Sequence, residues 1–125
     1  MAITVGSGAH MPWRTEVAKT TSYTVLNSDH GTLFTTVGAG GAVTFTLPSL
    51  ANGVGCFYWF SNQVAQNMAI TAPANKLVAF NNATGTTATY STAGAQIGSF
   101  CMVFLNGAGT FYIHVNMGFT TATIS

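Results

Sequence analysis

The sequence predicts an all-β fold, an antiparallel β-sandwich or jelly-roll-like domain of about nine or ten short strands. Three observations carry this. Runs of alternating apolar and polar residues, rich in β-branched and aromatic side chains, recur along the chain. Gly- and Asn-containing turns separate them at the spacing of a sandwich. Polarity comes almost wholly from Thr, Ser, Asn, Gln and Gly, because only 4% of the residues are charged, against about 25% in an average globular chain.

The chain starts in a different style. Residues 1–21 hold Arg14, Glu16 and Lys19, three of the five charges, together with Pro12 and Trp13. They lack a long alternation, so they read as an N-terminal arm ahead of a β domain over residues 22–125. The alternative is that "MAITV" adds an edge strand and Trp13 covers the domain's own core.

"SYTVL" (22–26) is the first clear strand. "Asn27-Ser28-Asp29-His30-Gly31" follows as a turn, since Asn, Ser and Asp bond their own backbone and Gly tolerates positive φ. "TLFTT" (32–36) is the next strand, and "VGAGGAV" (37–43) reads as a hairpin loop. It lacks the GK[ST] ending of a phosphate loop. In "AVTFTLP" (42–48), Val43, Phe45 and Leu47 point one way and Thr44 and Thr46 the other, the pattern of a strand with one wet face.

"CFYWFS" (56–61) is apolar on both faces, as is the "SFCMVFL" part of "IGSFCMVFLN" (97–106). "NMAITA" (67–72), "KLVAFN" (76–81), "TATYS" (87–91), "TFYIHVNM" (110–117) and "TTATIS" (120–125) complete the set. Asn106-Gly107-Ala108-Gly109 supplies residues that tolerate positive φ between the two longest runs, which predicts a central antiparallel hairpin.

The composition excludes several classes of function. A net charge of +1 without a basic cluster leaves no footprint for phosphate neutralisation, so no nucleic-acid partner is expected. No apolar run has the length of a membrane helix, and the start lacks the pattern of a signal peptide, so no membrane partner is expected and synthesis in a cytoplasm is. Cys56 and Cys101 lie inside apolar runs without a CxxC spacing and are read as two reduced core thiols, with a disulfide between them as the alternative.

Candidate chemistry is thin. Ser28, Asp29 and His30 are the residue types of a hydrolytic triad, but neighbours in an extended chain face opposite sides, and triads are assembled by a fold. Glu16 and Asp29 are the only acids, which disfavours a glycosidase. His10, His30 and His114 form no metal-ligand spacing. No catalytic, cofactor or metal site is expected, and the Asn82-Ala83-Thr84 sequon carries no weight without a secretory signal.

The two-faced strands point elsewhere. A sandwich core covers one face of each sheet, so the second apolar face must meet the N-terminal segment, a loop or another subunit. One lysine beyond residue 31 cannot guard several strand edges. A homo-oligomer or larger lattice is therefore expected, with Phe57, Trp59, Tyr112 and His114 as interface candidates.

The stretch "SYTVLNSDHGTLFTTVGAGGAVTFTLPSLANGVGCFYWFSN" (22–62) resembles a pattern found in structural proteins of tailed bacteriophages. In that pattern a "YTV" strand precedes Asp-x-Gly, a short strand, a "VTxTLP" strand, a Gly-x-Gly-type turn and an aromatic strand ending in Asn. "NMAITAPANKLV" resembles its continuation, whereas "GTLFTT" lacks the lysine often present after the glycine. The resemblance implies a virion part, with Asp29 and Gly31 in a structural turn. For a short chain with an arm, it implies a capsid decoration or cement protein, made in the host cytoplasm and found on the capsid surface.

Its expected partners are the major capsid protein and its own copies, with a trimer favoured. Trp13, Arg14, Glu16 and Lys19 are the candidates for a capsid-binding arm. The alternatives are a tail or fibre subunit or a carbohydrate-binding module using Trp13, Trp59 or Tyr90 as sugar platforms, and a small hydrolase.

Overall fold

A computed structural model describes residues 12–50, 56–118 and 121–125. The ten expected runs all form strands, and two further strands join them. In chain order they are β1 (Thr15–Ala18), β2 (Tyr23–Thr24), β3 (Thr32–Thr35), β4 (Val43–Thr46), β5 (Phe57–Ser61), β6 (Met68–Thr71), β7 (Leu77–Ala79), β8 (Asn82–Gly85), β9 (Thr87–Tyr90), β10 (Phe100–Leu105), β11 (Tyr112–Asn116) and β12 (Thr123–Ile124). The two additions are β1, in the expected arm, and β8.

The strands build a seven-stranded sheet, β1-β3-β5-β10-β11-β7-β8, and a five-stranded sheet, β12-β9-β6-β4-β2. The all-β sandwich-like architecture is as expected, but the pairing is mixed. β1 through β6 alternate between the two sheets, so a strand returning to its sheet runs in the same direction as its predecessor. Hence β1, β3 and β5 are parallel, as are β2, β4 and β6. The Gly-rich 37–42 segment is accordingly a crossover between sheets rather than a hairpin loop. The second half reverts to antiparallel pairing, including the expected central β10–β11 hairpin, with a parallel β11–β7 pair beside it.

Between the sheets, Phe34, Phe45 and Phe60 form a three-ring cluster with centroids 5.0–5.7 Å apart. Tyr58, Met68, Ile70, Leu77, Val103 and Tyr112 are buried around it. Burying a Phe-sized side chain is worth about 1.5–3 kcal/mol, and these side chains are buried within the single chain. Both cysteines are free and buried.

The 27–31 turn is a post for the first half. Asn27–Asp29 form one 3₁₀ turn, whose Asp29 Oδ2 accepts from Leu26 N–H (2.9 Å) and Tyr23 Oη–H (2.7 Å). Burial, then Asp29, pushes the Tyr23 phenol up to about 12. Gly31 has φ +79°, and a Cβ there would stand 2.9 Å from Arg14 Cδ. Only glycine admits that conformation and that close passage of Arg14 without strain. Asn62, fully buried, ends β5, accepting from Thr36 Oγ1 and donating to the Gln66 carbonyl.

Of the segment 1–21, residues 12–21 run along the seven-stranded sheet. Arg14 N–H bonds the Gly31 carbonyl and Lys19 N–H the Thr35 carbonyl, so β1 is an edge strand and not a detached arm. "MAITV" lies outside the described residues.

Candidate interaction face

Alternation along β5, β10 and β11 divides the large sheet into two faces. Tyr58, Phe60, Cys101, Val103, Leu105, Tyr112 and His114 face the core. Strand register sets the others in rows on the outer face. One row runs Val78, Ile113, Phe104, Phe57; the next runs Val115, Met102, Trp59, Leu33, Glu16; the third runs Phe100, Ser61, Thr35, Ala18. Across the ten side chains of the first two rows and Phe100, the only charge is Glu16 at the sheet's edge.

Aromatic rings organise this face. Trp59 stacks on Phe100 at 6.0 Å and meets Phe57 edge-on at 6.4 Å. Trp13 stands edge-on to both Trp59 (5.8 Å) and Phe100 (6.3 Å). Beside them Pro12, Phe57, Trp59, Met102 and Phe104 line a groove of about 460 Å³, together with Cys56 and Leu105. Trp59 is 9% exposed, and its Nε1–H is buried without a hydrogen-bond partner among the described residues. A buried donor left unpaired costs about 1–3 kcal/mol.

The strand edges offer little to a partner. β1 carries exposed Glu16, and β2 and β12 have two residues each. On β8 the Thr84 N–H is already accepted by Asn82 Oδ1 at 2.8 Å. Charge, shortness and side-chain capping are the usual protections against strand addition.

The sequence-derived candidates separate cleanly. Trp13 belongs to the outer face together with Phe57 and Trp59. Arg14 donates from Nη1 to the His30 carbonyl (3.0 Å), and the Lys19 ammonium lies 3.7 Å from the centre of the Tyr23 ring, so both hold the strand in place. Glu16 is exposed on β1.

Tyr112 and His114 are corrections: they face the core, not an interface. Tyr112 is 0% exposed and donates to the Pro48 carbonyl at 2.9 Å. His114 Nε2 lies 3.1 Å from Tyr90 Oη, which donates to Asn116 Oδ1 at 2.7 Å. With that donation made, His114 carries its proton on Nε2 and donates to the phenol. Its Nδ1 is buried without a hydrogen-bond partner among the described residues. Burial holds the imidazole down at about 4, only partly opposed by its own backbone. Burial also pushes the neighbouring Cys101 thiol up to about 12.

The other chemical candidates have structural uses as well. His30 Nδ1 accepts from Phe57 N–H at 3.3 Å, its ring lies edge-on to Phe57, and Asp29 is engaged by Tyr23 and Leu26. Tyr90 is wholly buried and presents no ring to a sugar, and Trp59 is nearly so. Among the described residues no group of three or more His, Cys, Asp or Glu is placed to hold a metal ion. No described helix is long and apolar enough to cross a membrane.

Pro12, Met102 and Phe104 are site residues that the candidate set omitted. The alternation of "SFCMVFL" signals Met102 and Phe104, whereas nothing in the sequence signals that Pro12 lies against them. No protein-family profile, curated protein or solved structure matches the chain.

Proposed function

We propose that the chain is a non-enzymatic structural subunit of a tailed-phage virion, a decoration or cement protein that binds the outer capsid as an oligomer, with a trimer favoured. The observation that carries the assembly part of this reading is the outer face of the large sheet. It is aromatic, nearly free of charge and grooved, and it lies opposite the buried core on a sheet whose edges are short, charged or capped. Apolar surface of that kind is the mark of a protein-binding site. The phage part rests on the 22–62 resemblance, whose Asp29, Gly31 and Asn62 are posts of the fold.

In this reading Trp13, Phe57, Trp59, Met102 and Phe104 meet copies of the chain or the major capsid protein, and exposed Glu16 on β1 contributes orientation. Aromatic residues in a water-excluding patch are the usual carriers of interface energy. The test is whether a major capsid protein is encoded beside this chain and whether the chain pellets with its shells, together with light scattering of the free protein at micromolar concentration. The expected result is an oligomer that decorates shells, persists at about 1 M salt, where the Debye length is only about 3 Å, and is lost in Phe104→Asp. A monomer that ignores shells, or an oligomer dissolved by salt, overturns the proposal.

A further inference from the structure

We infer that the tip of the β7–β8 hairpin is an acid-released cover: protonation of His114 frees Phe80 from the imidazole and opens the hairpin at its turn. The inference goes beyond the assembly reading and stands whether or not a capsid is the partner. A strained turn, an exposed ring and a buried imidazole meet at this one place.

Ala79 pairs with Asn82, so Phe80 and Asn81 are a two-residue loop, and both have positive φ, +47° and +63°. Two such residues are the mark of a type I′ turn, which favours Asn-Gly. Asn81 suits it, but a bulky residue in the left-handed region is strained. Strain of this kind persists only where the surroundings hold it, and it gathers at switch regions. What holds Phe80 is His114: the two rings stand 5.7 Å apart, Phe80 43% exposed and His114 only 6%. The imidazole engages Tyr90 through Nε2, while its Nδ1 is buried without a partner among the described residues.

No neighbour can hold a second proton in place. The titratable groups facing His114 are Tyr90 from β9, Cys101 from β10 and Tyr112 on β11 itself; burial pushes all three up, so they are neutral in acid. The charged side chains are engaged elsewhere. Arg14, Glu16 and Lys19 lie on or beside β1, at the opposite border of the sheet, Asp29 is held by Tyr23 and Leu26, and Lys76 lies 4.9 Å from the centre of the Phe111 ring. A cation formed when Nδ1 takes a proton from solvent therefore has no counter-charge, and water is its best partner.

The tip is the nearest way to water. β8 borders the sheet with β7 as its one neighbour, its middle residues are exposed, and its pairing shifts register between Leu77 and Ala79. At the other end of β8, Ile124 presses on Gly85 and fixes the strand. One-sided pairing and little buried contact are the features of a segment that opens before the whole domain does. Closed, the imidazole is held down at about 4, and open it returns to 6.5, so the open form binds the proton more tightly. The ratio of open to closed rises as pH falls below 6.5, by up to tenfold per pH unit and about 300-fold in all once pH 4 is passed.

Amide hydrogen exchange, corrected for its intrinsic pH dependence, tests this by comparing residues 79–82 with Tyr58 and Val103 of the central strands. The expected result is a rise of more than tenfold at 79–82 between about pH 7 and about pH 4.5, at rates well above those of Tyr58 and Val103 throughout, and no such rise in His114→Gln. Exchange at 79–82 that ignores pH, or that is no faster than in the central strands, overturns the inference. Phe80→Gly, which removes the ring and suits the left-handed backbone, decides if His114→Gln does not fold. In that variant His114, followed by NMR of the imidazole, should titrate at least one pH unit higher than in the wild type, and an unchanged titration overturns the inference. Capsid decoration is read separately by pelleting, so failure there leaves this result standing.

Discussion

The inner and outer faces of β5, β10 and β11 are both rich in aromatic residues, yet only the inner one is laced by tyrosine hydrogen bonds. Inside, most polar atoms that enter have an address: Tyr58 Oη reaches the Leu26 carbonyl, Tyr112 Oη the Pro48 carbonyl, and Tyr90 joins His114 to Asn116. Outside, rings and thioethers meet at the usual aromatic distances, and Trp59 Nε1 goes unpaired among the described residues. Aromatic content does not separate a core from a contact surface. Side-chain hydrogen bonds separate them better, since three inner tyrosines are bonded while each face keeps one buried polar atom unpaired among the described residues, His114 Nδ1 inside and Trp59 Nε1 outside.

The comparison is broken most severely by truncating one ring on each face. Phe60→Ala, in the three-ring cluster, should cost about 3–5 kcal/mol, while Phe104→Ala, partly exposed on the outer face, should cost less than half of that. Urea unfolding of the monomeric form reads both, and equal losses would show the outer face to be core.

Acid should act on the inner face next. The His114 pKa falls from 6.5 to about 4 on folding, so between those values the unfolded chain binds the extra proton. Stability is therefore full above pH 6.5, declines as pH falls toward 4, and levels off below it. The loss approaches about 3 kcal/mol at about 1.4 kcal/mol per pH unit. The groups facing the imidazole are Tyr90, Phe80 and, through Tyr90, Asn116, none of which carries a charge to steady a cation. Denaturation curves across this range should be steep for the wild type and nearly flat for His114→Gln.

The mildest probe is Tyr112→Phe, which keeps the ring and leaves the Pro48 carbonyl without its donor. A loss of about 1–2 kcal/mol is expected, with oligomer size by light scattering unchanged. A change in oligomer would return Tyr112 to the interface.

Much of this was legible in the sequence, and the omissions have reasons. Period-two alternation located ten strands because each packs one face against a common core. It missed β1, where "TEVA" is too short to alternate visibly, and β8, where "NATG" has the composition of a turn. Pairing direction was hidden, since alternation says nothing of which sheet a run enters. The facing of β11 came out reversed: Tyr112, His114 and Asn116 look like a wet side beside Phe111, Ile113 and Val115. Their partners, Pro48 and Tyr90, stand 64 and 24–26 residues away and no local pattern announces them. The outer face was visible as strands apolar on both sides, but the groove needed Pro12 set against Phe104, a matter of tertiary placement.

The alternating path of β1 to β6 also sets how such a fold can change in size. β1 and β2 make up one circuit of the two sheets, and each is the outermost strand of its sheet on the same flank. Losing that circuit would leave β3 and β4 as the new borders with their inward partners undisturbed, and gaining another would extend both sheets by one strand. On the opposite flank Ile124 of β12 presses on Gly85 of β8, where an added Cβ would meet it at 2.5 Å, so the two sheets are fastened there. The molecule has one flank open to growth by whole circuits and one that is closed, and related chains of different length should differ at the first.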